Sequence, residues 1–176
     1  MTGLQEMILI GEIVLQSKIA QRAAERLRAT HDNFDHVKTW CSIQSILVAA
    51  GNVSKIFWPI KEKHKIRGEE LRQLLKVENN SPLSSREFRN HFEHYDERIE
   101  EHFKNNAQGV YKDLAMNPSL SSRIFGDLPL NIHRGYNAFN NTLIFRDETL
   151  DLNEVFVALE DIVNNCKPYS LLAKSE

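Results

Sequence analysis

From Leu4 to about Thr30, apolar residues recur at intervals of three, four and seven, at Leu4, Met7, Ile8, Leu15, Ile19, Ala23 and Leu27, with Gln, Lys, Arg and Glu between them. A backbone that turns once every 3.6 residues brings such positions onto one stripe. The spacing therefore predicts a long amphipathic helix whose apolar side must be covered by something. The following segment offers a partner. Asp32 or Asn33 is placed to cap a second helix through Phe34, Val37, Trp40, Cys41, Leu47, Val48 and Val53, and Pro59 blocks its continuation. The second half of that helix is apolar nearly all round, which belongs at the centre of a bundle. A third helix, roughly Arg67 to Val77, brings Leu71, Leu74 and Leu75 to the same core before the break at Glu78-Asn79-Asn80-Ser81-Pro82.

A fourth helix is predicted from near Pro82 or Ser84 to about Lys104, with Ser84 and Glu87 at capping-box spacing. At 100° per residue, Phe88, Phe92, Tyr95, Ile99 and Phe103 form its core stripe. His91, His94, Arg98 and His102 fall on one flank, Arg89, Glu93 and Glu100 on the other. Past Asn105 the periodicity weakens, and Asn117-Pro118, Gly126, Pro129 and Gly135 read as an irregular connection. Thr142 to Phe145 and Thr149 to Asp151 read as a short β-hairpin, and Asp151 with Glu154 opens a last helix through Val155, Phe156, Leu159, Ile162 and Val163 that Pro168 ends. The expected fold class is all-α: one domain over residues 1–176, an antiparallel up-and-down bundle of about five helices with a small β-hairpin before the last helix. Trp40, Phe57, Trp58 and Phe139 read as core or interface anchors, with the core as the expectation.

Composition narrows the class of function. At 176 residues and 41% apolar content the chain can bury one sizeable core without a staple. Cys41 and Cys166 form no C-x-x-C pair, which gives no support to a disulfide framework or a thiolate zinc site and fits a reducing cytoplasm. The opening residues lack a basic start and carry Glu6 and Glu12, so they read as a helix of the fold rather than a signal peptide. No apolar run approaches a membrane span, and no membrane association is expected. A formal charge of −2 argues against a broad nucleic-acid-coating surface but leaves local patches open. One such patch runs from Lys55 to Lys76, where seven cations face three anions. Charge runs of this kind usually form a solvated face; as a phosphate-binding patch its contributors would be Lys63, Lys65 and Arg67.

The densest chemistry lies at Arg89-Asn90-His91-Phe92-Glu93-His94-Tyr95-Asp96. A guanidinium is a fixed, two-pronged phosphate donor and an imidazole titrates near neutrality, so this group is equipped to hold a phosphate and move a proton. Arg-Asn-x-x-x-His on a core-packed helix late in a helical bundle resembles the HEPN family of nucleotide-binding domains. Arg89, Asn90 and His94 match that signature, and Arg86 with His91 repeats its arginine–histidine spacing. The resemblance implies a metal-independent ribonuclease or an RNA- or nucleotide-binding domain working as a homodimer, with the signature helices of two subunits meeting in a cleft. By resemblance, His94 is the general acid or base, Arg89 holds the scissile phosphate, and Asn90 orients the imidazole or donates to phosphate. Arg86, His91 and Arg98 are further candidate nucleic-acid contacts.

Two other readings of the same residues stand beside this one. Between Ser84 and Lys104, six acids (Glu87, Glu93, Asp96, Glu97, Glu100 and Glu101) face four cations, and Glu93 can pair with Arg89 at i,i+4. The helix would then be the seam of a non-catalytic interaction or dimerisation module. A metal is the other alternative, through His91 and His94 or through His31, Asp32, Asp35 and His36. No Glu-x-x-His pair is duplicated on two helices as di-iron carboxylate bundles require, and the expectation is that no metal or cofactor is bound.

Overall fold

The computed structural model describes residues 2–32, 35–105, 110–115, 130–145, 148–170 and 173. Its spine is an antiparallel helical hairpin, α1 (Gly3–Arg28) and α2 (His36–Phe57). Thr2 opens α1 with a reciprocal capping box to Gln5. Asp35 opens α2 by accepting the Lys38 N–H at 3.0 Å, and that bond holds its carboxyl below the usual range. The cap therefore falls later than Asp32, and Asn33 and Phe34 lie outside the described residues.

α1 is apolar on two opposite sides, and the side it buries is not the one its spacing suggests. Ile10, Ile13, Val14, Ala20, Ala23, Ala24 and Leu27 are buried, whereas Leu4, Met7, Ile8, Leu15 and Ile19 are 40–64% exposed. Small residues explain the choice: Ser17, Ala20, Ala23 and Ala24 let the two helix backbones approach, and periodicity alone does not distinguish between two apolar stripes.

Each end of the spine is closed differently. At the α1 N-terminal end, Ile10, Ile13, Val53 and Phe57 pack with Leu71 and Leu75 from α3 (Lys65–Leu74) and its C-cap, with Leu83 from a 3₁₀ turn (Pro82–Ser84), and with Val155, Leu159 and Ile162 from α6 (Leu152–Cys166). A Cβ on Gly68 would lie 2.5 Å from the Phe57 carbonyl oxygen and 2.6 Å from Pro59 Cδ, so only glycine lets α3 sit this close to the end of α2. The other end is closed by a sheet. There Leu27, Trp40, Ile43 and Ile46 pack with Tyr136, Leu143, Phe145 and Leu152, and Phe92 lies against the same cluster.

The sheet has four strands in the order β1 (Val110–Ala115), β2 (Leu130–Asn137), β3 (Thr142–Phe145), β4 (Glu148–Asp151). β1 runs parallel to β2, and β2, β3 and β4 form an antiparallel meander. The chain is thus mostly helical but not all-α. The predicted hairpin is β3–β4, joined by two strands that periodicity did not show. In β2 the buried positions include Asn131 and His133, so no alternation of apolar and polar residues marks it.

The predicted helix over residues 84–104 is two helices, α4 (Glu87–Glu93) and α5 (Tyr95–Asn105). His94 leaves helical geometry at φ −114 and ψ 39. It still donates its N–H to Asn90 O at 3.0 Å and accepts from the Arg98 N–H at 3.1 Å, so the pair is a kinked rod rather than two separate rods. The kink disrupts the single stripe: Tyr95 is 55% exposed rather than in the core. The Ser84–Glu87 capping box is not formed; Ser85 Oγ accepts the Glu87 N–H at 3.4 Å instead. Trp40 and Phe57 are buried and Trp58 packs against the core, but Phe139 is 86% exposed.

Candidate functional site

α4 and α5 carry the signature and present two unlike faces. On the inner face, His91 is 8% exposed. Its Nε2 lies 2.8 Å from Glu148 Oε2, and because a carboxylate only accepts, the imidazole N–H is the donor. The ring stacks on Phe145 at 4.2 Å between centroids and 11° between planes. His133, 1% exposed, meets Phe145 edge-on at 4.7 Å and faces His102 at 5.4 Å. His102 in turn hydrogen-bonds through Nε2 to the Asn131 side-chain oxygen.

Sheet register explains why these groups meet. Phe145 pairs with Arg134 on one side and Glu148 on the other, so Arg134, Phe145 and Glu148 form one row across three strands on the face turned to the helices. In the β1–β2 ladder the register passes from Lys112–Ile132 to Asp113–Arg134, leaving His133 as the extra residue of a bulge. Such a bulge re-aims side chains. It allows consecutive residues to serve the same interior: His133 reaches Phe145 and His102, while the Arg134 guanidinium lies 4.3 Å from the Trp40 ring centre and 5.8 Å from that of Phe92.

The outer face holds the rest of the signature. Asn90 and His94 are exposed, one helical turn apart. The His94 side chain is 56% exposed and its Nδ1 lies 3.9 Å from a Glu97 carboxylate oxygen. Glu93, Asp96 and Glu97 are exposed beside it. Arg89 belongs to α4 immediately before Asn90, and its side chain, like that of Phe88, lies outside the described residues.

The structure thus leaves Asn90 and His94 on one exposed ridge, while His91, the residue after Asn90, turns into the interior. The other candidate contacts have local tasks. Arg86 is the half-buried N-cap of α4, and Arg98 pairs with Glu101 at 3.1 Å. Lys65 pairs with Glu62 at 2.7 Å, and Arg67 donates to Ile56 O at the end of α2. Lys63 is exposed next to His64, whose imidazole is held below its ordinary value by desolvation and then by the charges of Arg67, Lys63 and Lys61.

The cluster at the start of α2 is likewise divided among structural roles. His31 Nε2 lies 3.0 Å from the Tyr136 hydroxyl, which donates to Asn141 Oδ1 at 2.8 Å; burial pushes that phenol up to about 12. His36 accepts from the Trp40 indole N–H at 3.1 Å, and Asp35 is the cap. Among the described residues no three His, Cys, Asp or Glu side chains converge on a metal position. Cys41 and Cys166 are both free thiols, and no described helix is long and apolar enough to cross a membrane. The larger of two described clefts, about 680 Å³ between α6 and residues 76–82, is lined by no residue of the signature.

Sequence reasoning missed Asn131, His133, Arg134 and Glu148. The first three are clustered polar residues in a strand without alternation, and Glu148 sat in what looked like a hairpin turn. Their own signal was the density of chemistry between Leu130 and Tyr136. No family model, curated protein or solved structure matches this chain.

Proposed function

We propose that the chain is a HEPN-like domain acting on RNA or nucleotide phosphodiesters through Arg89, Asn90 and His94, without a metal and as a homodimer. The observation that carries the reading is the division of imidazoles along α4. His91 is committed to Glu148 and Phe145, whereas His94 ends the same helix exposed beside Asn90, so the fold leaves the signature's proton carrier available. In this reading His94 accepts the proton of a ribose 2′-hydroxyl as that oxygen attacks the adjacent phosphorus. Arg89 steadies the charge that grows on the phosphoryl oxygens, and the 5′-oxygen leaves by taking a proton from water.

The test is cleavage of single-stranded RNA by purified protein in EDTA, with analysis of the product ends. The reading requires chelator-resistant cleavage leaving a 2′,3′-cyclic phosphate, reduced roughly 10²–10⁴-fold by His94→Ala and severely by Arg89→Lys, since a point charge does not reproduce a planar two-pronged grip. Activity that both variants retain would place the chemistry elsewhere.

A second reading, a non-catalytic interaction module, is favoured by the exposed Glu93, Asp96 and Glu97 around His94, which repel a polyanion. Intact, folded protein that neither cuts nor binds RNA would support it.

A further inference from the structure

We propose that the cleft between α6 and residues 76–82 binds a linear aliphatic polyamine, its ammonium groups held by Glu154, Asp161 and Glu78 and its methylene chain laid on an apolar floor. The cleft shares no residue with the signature, so the proposal stands apart from the reading of Arg89, Asn90 and His94. Its volume of about 680 Å³ falls within the roughly 300–1,000 Å³ of small-molecule sites. The floor is aliphatic: Val77, Pro82, Val157, Ala158 and Ile162 line it, and among the described residues no aromatic ring does.

The walls are fixed by the fold. Lys76 takes a left-handed φ of 52° at the end of α3, and the Val77 N–H closes that end onto Arg72 O at 2.8 Å. Asn165 donates its side-chain N–H to Leu75 O at 2.9 Å, which ties α6 to the same turn. At the other end of the α6 stripe, Asn153 donates to Asn140 O at 3.1 Å and accepts from Asn141 Nδ2 at 2.8 Å. A cleft built in this way loses little to ordering when a ligand enters.

Charge selects the occupant. Three carboxylates, Glu78, Glu154 and Asp161, line the cleft against one ammonium, Lys76, and among the described residues no ion pair engages any of the three. They are spread rather than gathered, since among the described residues no three His, Cys, Asp or Glu side chains converge on a metal position. A small point cation therefore does not serve them together, and without an aromatic ring there is no cage for a quaternary ammonium. Separate charges on an apolar chain do fit. Glu154 and Asp161 are two turns apart on one side of α6, about 10.5 Å along its axis, with Val157 and Ala158 between them. An extended triamine with three- and four-carbon spacers spans about 11 Å between its terminal nitrogens.

Isothermal titration calorimetry of the full chain with spermidine in low-salt buffer, with circular dichroism as the folding control, tests this. The wild-type chain should bind spermidine saturably, and putrescine, whose nitrogens are about 6 Å apart, at least about tenfold more weakly. Glu154→Gln and Asp161→Asn should each weaken spermidine roughly tenfold, the scale of a lost charge-assisted contact. Val157→Lys, which sets an ammonium on the floor at a 58% exposed position, should abolish binding. Glu160→Gln removes an exposed carboxylate of the same helix outside the cleft and should leave binding unchanged. Absence of saturable binding by the folded wild-type chain, equal affinity for putrescine, equal affinity for magnesium at matched ionic strength, or equal weakening by Glu160→Gln and Asp161→Asn would overturn the proposal, the last by reducing the attraction to general surface charge.

Discussion

The inner and outer faces of α4–α5 use the same residue types to opposite ends. Inside, His91, His102 and His133 sit among Phe145, Phe103, Asn131 and Glu148, with each described contact made to the fold itself. Outside, His94 and Asn90 stand in solvent among carboxylates, and the imidazole Nδ1 lies 3.9 Å from a Glu97 carboxylate oxygen. His91 and His94 are three positions apart, and the kink at His94 lies between the inner contacts of His91 and those of His102. A histidine-rich motif is therefore no unit of function: its members are sorted by which side of one short helix they occupy.

This contrast ranks the effects of substitution. Phe145→Ala should be the most damaging, at about 3–5 kcal/mol by chemical denaturation, because its 1% exposed ring underlies both His91 and His133 and opens a cavity when removed. A loss below about 1 kcal/mol would mean that the inner face is not a packed unit. His91→Ala and His102→Ala should each cost about 2 kcal/mol through lost polar contacts and ring packing. His102, on the flank of the predicted helix, is tied to the sheet through Asn131. Glu97→Gln on the outer face should leave stability within about 0.5 kcal/mol, since its ion pair with His94 is exposed. If the ridge meets phosphate, the same substitution should tighten RNA binding, and unchanged or weaker binding would count against that contact.

Most of the helical scaffold was legible in the sequence because caps and 3.6-residue periodicity are local. α1, α2, α3 and α6 were expected near where they lie, from Pro59, the Glu78–Pro82 break, Asp151 and Pro168, although α2 starts at His36 rather than after Asp32 or Asn33 and α3 covers Lys65–Leu74 rather than Arg67 to Val77. What was not local was lost. The buried stripe of α1 depends on which side α2 approaches, and the kink at His94 separates a helix packed on the sheet from its continuation. β2 hides behind inward polar residues whose partners are remote in sequence: His102 meets Asn131, and His91 meets Glu148. The candidate site was half legible for the same reason. Asn90 and His94 could be picked from residue type and spacing, whereas the burial of His91 required the strand that bears Glu148.

The most direct test of the division is a paired measurement on His91→Ala and His94→Ala: chelator-resistant RNA cleavage per folded molecule beside thermal melting. The account predicts that His94→Ala melts like wild type and loses roughly 10²–10⁴-fold in cleavage rate, while His91→Ala melts lower yet cleaves at a near wild-type rate below its transition. The reverse pattern, with His94→Ala destabilised and active and His91→Ala stable and inactive, would contradict it.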